Sequence, residues 1–262
     1  GGTGGGGGLV ITMGDFENIQ PVFDTPDDED DPTFTADGLE LYFNAGQNAG
    51  IDIFRSTRGT RAESWGAPSP VTTLSTSAVE TNPALSPDGL TIYFARQVGT
   101  MDIFVAKRAN RSDMWPTPVP VDELNSMAAD YPRSVSSDGT LLAMHSTRDG
   151  GLKVFFAERD TSSDPWDEPY IPDFINQTVT TADPWISPDA LHVYWRQAGT
   201  IHHASRPDRQ ASFVTIGTLD ELDQDLDQED PWLNPEQSYI MFVKGPQQNR
   251  DIFEAFRTVD RP

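Results

Sequence analysis

Five segments of this chain share one plan, and that repetition constrains the fold more than any other feature. The clearest copy is Asn82 to Arg108, NPALSPDGLTIYFARQVGTMDIFVAKR. It reads as three short strands: NPALS, a turn at Pro87-Asp88-Gly89, LTIYFA, a Gly-centred loop, and DIFVAKR. Turn residues at the first break, with aromatic and β-branched residues on either side, are hairpin chemistry. DPTFTADGLELYFNAGQNAGIDIFRSTR from Asp31 matches it, as does PRSVSSDGTLLAMHSTRDGGLKVFFAER from Pro132. Two more copies begin at Asp183 (DPWISPDALHVYWRQAGTIHHASRP) and at Asp230 (DPWLNPEQSYIMFVKGPQQNRDIFEAFR).

A fourth element lies between the copies. WGAPSPV starts at Trp65, WPTPVPV at Trp115 and WDEPYIP at Trp166, with FVTIGTL from Phe213 in the same slot. Proline in sheets is confined to edges, where its missing N–H costs no ladder bond, so this element reads as an outermost strand. The last copy ends near Arg257 with no such strand after it, whereas FENIQPV from Phe16 is an outer strand with no copy before it. Pairing the two completes a fifth sheet and joins the chain's ends. The turn residues Asp37, Asp88, Asp138, Asp189 and Glu236 recur about every 50 residues, the period of a four-stranded propeller blade rather than of a helical solenoid. The expected fold is all-β: a five-bladed β-propeller of four-stranded antiparallel blades, closed by an N-terminal outer strand in the last blade. Residues 9–262 would form this single domain, behind a flexible tether at Gly1–Gly8.

The pattern x-P-x-x-S-P-D-G, then L-x-Y-F, then D-I-F-x-x-x-R resembles the TolB-type propeller repeat, a Pro-Asp relative of the WD repeat. Asn82–Arg108 carries it closely, and Asp31–Arg58 has TADG for SPDG. The later copies have SSDG, SPDA and NPEQ. The resemblance covers about nine-tenths of the chain and implies the propeller fold. Family members include periplasmic and outer-membrane-associated binding proteins, propellers attached to peptidases and some polysaccharide-degrading enzymes. The fold therefore does not select one activity.

With 18 Lys and Arg against 41 Asp and Glu, the net charge is −23. Nucleic acid and anionic membrane surfaces are excluded as partners, since phosphate neutralisation needs cations; divalent ions, basic proteins and glycans are not. No apolar run is long enough to span a bilayer. There is no cysteine, hence no disulfide or thiolate site. A Gly-rich leader before a β domain fits an exported bacterial protein, periplasmic or cell-surface, held to lipid through that leader; an engineered linker would have the same composition. A closed propeller has no edge to hide, so a monomer is expected.

Strand alternation places candidate chemistry at one end of the blades. Eight residues before each turn acid stand Glu29, Glu80, Asp130, Thr181 and Gln228; six before stand Asp31, Asn82, Pro132, Asp183 and Asp230. Asp30 and Glu229 adjoin them. Three uses of such a ring stay open. It could hold a hard cation, with Ca2+ as the ion and Glu29, Asp31, Glu80, Asp130, Asp183 and Asp230 as ligands. It could supply a carboxylate pair for glycoside hydrolysis. Or it could cap loop N–H groups between blades. The last is favoured because these acids belong to the repeat itself. Trp185 and Trp232 stand where other blades have Thr33, Ala84 and Ser134, and could form a ligand-stacking wall. Arg96, His145, Arg196 and Lys244, near the ends of second strands, would lie on the same face. His202 and His203 are strand neighbours pointing to opposite faces, and no histidine set has transition-metal spacing. The acidic stretch from Leu219 lacks the Gly and Glu of a calcium loop. No nucleophile triad order, P-loop or dinucleotide fingerprint occurs. The reading is a non-catalytic binding module working through its acidic face. The alternative is a glycan-active hydrolase, with Asp31, Asp130 and Asp183 as first candidates.

Overall fold

The computed structural model describes residues 12–23, 25, 28–46, 50–176, 178–222, 228–245 and 250–260. The Gly1–Gly8 tether and Asp223, Asp225 and Asp227 of the acidic stretch lie outside them. Five antiparallel sheets follow one another around an axis, in the order expected of a five-bladed propeller. Their innermost strands are Glu29–Phe34, Glu80–Leu85, Asp130–Val135, Thr181–Ile186 and Gln228–Leu233. Each pairs with a second strand and then a third, moving outward.

The closure is the one the repeat demands. Glu17–Pro21 pairs with Asp251–Phe256 as the outer strand of the fifth blade, so N- and C-terminal segments share one sheet. Thr12–Met13 pairs with Val259–Asp260 as a second tie. In the third blade the outer strand shrinks to a single bridge, Phe156 with Tyr170. Pro169 and Pro172 flank that contact and have no N–H to give, so Tyr170 both donates and accepts there, while Asp167 N donates separately to Glu158 O.

A lock repeated five times explains the spacing of the outer aromatic. The arginine ending each third strand lies over the aromatic that opens the outer strand: Arg58 over Trp65, Arg108 over Trp115, Arg159 over Trp166, Arg206 over Phe213 and Arg257 over Phe16, at 3.9–4.4 Å. The Nε of each donates to a carbonyl of its own blade's turn, at Gly38, Gly89, Gly139, Ala190 and Gln237. Stacking and a directed fork both need guanidinium, which is why Lys does not substitute. Arg108 is buried and also reaches Glu40 of the preceding blade at 2.9 Å. Arg108→Lys is therefore expected to lose about 2 kcal/mol, read as a lower urea midpoint with unchanged slope. An unchanged midpoint would mean the lock carries no stability.

Innermost strands start at one end of the molecule, the upper face. The five turns lie at the other, the lower face.

Candidate functional site

Each innermost strand carries a β-bulge near its upper end. In four blades the residue there is Asp31, Asn82, Asp183 or Asp230, all with φ between 51° and 55°. Asp and Asn tolerate that left-handed region, which accounts for the residue types at the position. The third blade has Pro132, whose ring forbids positive φ. There the register slips one residue later, and Arg133 becomes the extra, unpaired residue.

That slip places a cation among the anions. Arg133 is 5% exposed. Its Nη1 bonds Asp31 and its Nη2 lies 2.6 Å from Asp230 Oδ1. Asn82 Nδ2 donates to Asp31 at 2.7 Å. Asp183 is met at 2.7 Å by Arg196 Nε, and His145 Nδ1 lies 3.1 Å from its N and 3.2 Å from its Oδ1. Burial holds His145 below its ordinary range, against the pull of the Asp183 carboxylate. A chain of pairs continues outward: Arg196 with Glu229, Glu229 with Arg250, and Arg250 with Asp30.

The acids do not share one protonation tendency. Burial pushes Asp31 up to about 6 against the pull of Arg133, with Asp30 and Asp183 adding to the rise. Burial and the neighbouring carboxylates also raise Asp230 and Asp30 well above the usual range. At Asp183 burial opposes ionisation, but the contact with His145 and the guanidiniums of Arg133 and Arg196 hold it well below.

The positions two residues earlier do not join this axial group. Glu80 accepts from Thr76 N and Oγ1 and pairs with Arg96 at 2.7 Å. Asp130 accepts from Ser126 N and Oγ and pairs with Arg148 at 2.6 Å. Glu29 is bonded by Thr25 Oγ1. Each holds a local loop between blades. Oxygens of Asp30, Asp31 and Asp230 do lie within 4.8 Å of one another, the spacing a cation would use. Arg133 and Arg250 already stand against them, and a hard dication would have to displace that positive charge.

Trp185 and Trp232 are buried between blades, edge to face at 6.5 Å, and Trp232 Nε1 donates to Phe34 O of the first blade. Neither ring presents a face to solvent. Arg96 stacks over Phe94 and Phe104, and Lys244 is buried on the strand opposite Gln228. His202 stacks on Trp195 and His203 on Tyr194, on opposite faces of the sheet. Of the sequence candidates, then, Asp31, Asp183, Asp230, His145 and Arg196 come together with the adjoining Asp30 and Glu229, while the rest are spread through the blades. The residue the sequence reading missed is Arg133. Its signal was visible: the third blade alone lacks an Asp or Asn before proline and follows the proline with arginine.

No family model matches this chain, and no curated protein does. Solved structures do match. TolB from Acinetobacter baumannii aligns at 15% identity and TM-score 0.55, over 91% of this chain, which spans 57% of that protein's length. An α-L-arabinofuranosidase from Podospora anserina, in complex with cellotriose, aligns at 11% identity and TM-score 0.58, over 88% of this chain and 91% of that one. A protein of unknown function from Dyadobacter fermentans gives 0.61 at 11% identity, over 95% and 99%. The likeness is one of fold. A propeller similar to TolB on one side and to a glycoside hydrolase on the other leaves function to the site.

Proposed function

We propose that this chain is a non-catalytic binding module, part of an exported bacterial protein, that docks a partner protein on its upper face. The observation that carries this reading is the commitment of the axial acids to internal cations. Arg133 sits between Asp31 and Asp230, and Arg196 holds Asp183. A glycosidase needs two carboxylates free to face a sugar on either side of the scissile bond. Around this internally paired hub the upper rim exposes apolar side chains: Met127 at 98%, Val98 at 57% and Val179 at 37%. Methionine and aliphatic groups ringed by charge are the composition of a protein-docking patch. Among the described residues no helix is long and apolar enough to cross a membrane.

The hydrolase reading keeps one supporting observation, the raised Asp31 carboxyl, which is what a general acid requires. The two are separated by incubating the full chain with aryl glycosides and arabinoxylan oligosaccharides beside the Asp31→Asn and Asp183→Asn variants. The expected outcome is no hydrolysis above background in any of the three. Turnover by the native chain that both variants abolish would replace the binding reading with a catalytic one. For docking, a photo-crosslinker at position 127 should capture one protein in cells of the source organism, and the same group on the lower face should not.

A further inference from the structure

The lower face carries a second repeat device, present at three of the five blade interfaces. Three residues after each stacked arginine stand Arg61, Arg111, Ser162, Arg209 and Asp260. The arginines at this position reach the turn acid of the preceding blade. Arg111 bonds Asp37 Oδ2 at 2.5 Å, Glu40 Oε1 at 2.6 Å and Thr35 Oγ1 at 3.4 Å. Arg209 meets Asp138 at 3.4 Å and Thr140 Oγ1 at 2.7 Å, and Arg61 lies 3.6 Å from Glu236. A guanidinium thus bridges three interfaces.

Between the second and third blades Ser162 stands in that place, and a cavity of about 260 Å3 opens there. Ser86, Asp88 and Thr91 of the second blade form one wall, and Ser162, Ser163 and Asp138 of the third blade line the other. Asp88 Oδ1 accepts from Ser86 Oγ and Leu90 N, the arrangement also made by Asp37, Asp138 and Asp189. Its second oxygen has no partner among the described residues. Asp138 is taken by Arg209, and Arg159 by the carbonyls of Gly139 and Asp164. Exposed Lys107 also lines the cavity, and it forms no ion pair among the described residues.

We infer that this cavity is a binding site for a guanidinium group, supplied from outside where the chain's own arginine is missing. The positions of Asp88, Ser86 and Thr91 repeat those of Asp37, Thr35 and Glu40, which hold Arg111 in the neighbouring interface, with the Thr91 hydroxyl standing where Glu40 has its carboxylate. A planar fork with several donors matches that arrangement better than a point charge does. The net charge of −23 draws cations to the surface. The site lies on the face opposite the proposed docking rim and does not depend on it.

The test uses the full chain and calorimetric titration with Nα-acetyl-arginine amide, free arginine and Nα-acetyl-lysine amide. The arginine compounds should bind saturably, and the lysine compound about tenfold more weakly or not at all. Equal affinity for the blocked amide and free arginine points to a side chain presented by another protein; a clear preference for the free amino acid points to a small metabolite. Asp88→Asn should weaken binding about tenfold or more. Ser162→Arg restores the internal bridge, so it should abolish binding and raise the melting temperature. Native chain that binds no arginine compound, or binds it as well after Ser162→Arg in a folded protein, overturns the inference. So does lysine binding equal to arginine, since the site would then be a general cation surface.

Discussion

Arg133→Met is expected to cost about 3–5 kcal/mol at pH 7.5, enough to unfold a marginal domain outright. The side chain keeps an unbranched apolar stem and loses the guanidinium with its charge. Three buried carboxylates, Asp31, Asp183 and Asp230, then face one another where Coulomb repulsion is weakly screened. Because both partners on one side remain, the loss exceeds what the pair itself contributes; the penalty is that of stranded charge. Two rescues distinguish this cause from a simple packing defect. Acid should restore stability as the stranded carboxyls take up protons. Millimolar Ca2+ should raise the variant's melting temperature and leave the native protein's unchanged at matched ionic strength, because only the variant has an uncompensated oxygen cluster. A native chain stabilised by Ca2+ would return the axis to the list of cation sites.

The same channel sets the pH profile of the native chain. Asp31 titrates near 6 when folded and near 4 when unfolded, so its contribution to stability is full below the unfolded value and is lost as pH rises through 6. The shift amounts to about 3 kcal/mol. Asp30 and Asp230 are displaced in the same direction. Asp183 is displaced oppositely, and its contribution disappears only as pH falls through its own depressed value. Lowering the pH from 8 to 5 should therefore stabilise the protein, with a decline setting in below about 4 as the paired carboxylates protonate.

What the sequence revealed and what it hid follow from the range of the interactions involved. Turn chemistry, proline placement and aromatic spacing act over a few residues, and they repeat five times, so blade count and closure could be read directly from Pro87-Asp88-Gly89 and its sister turns. The axial site depends on which residue of each bulge points inward. A single proline at 132 shifted that choice in one blade and set an arginine among the acids of the ring. Alignment by spacing put Glu29, Glu80 and Asp130 in the ring, although strand geometry directs them to local loops. Trp185 and Trp232 looked like a ligand wall because they break the symmetry, but neighbouring blades close over them. Arg61, Arg111 and Arg209 were legible in the same way as the turns. Their meaning required knowing which blade each one reaches.

Removing residues 1–24 should cost far more than removing residues 1–8, because only the larger truncation opens the ring. It takes away the outer strand Glu17–Pro21, the buried Phe16 under Arg257, and Phe23, whose ring lies 5.1 Å from Phe43 of the first blade. Backbone bonds from Gly14 to Thr258 and from Val22 to Ile252 go with them. Burial of Phe16, Ile19, Val22 and Phe23 in the core shared by the fourth, fifth and first blades is worth about 5 kcal/mol or more. The strand Asp251–Phe256 is left as an unpaired edge bearing half-exposed Phe256, and open edges of this kind pair with other chains. The larger truncation should thus melt many degrees lower and elute as aggregates, while the chain lacking only its glycines behaves as the parent. A synthetic peptide of residues 12–24, added in excess, should restore a monomeric elution volume and most of the melting temperature, since strand and edge are complementary without the covalent link. If the two truncations melt alike, the ring is held by contacts between blades and not by its closing strand.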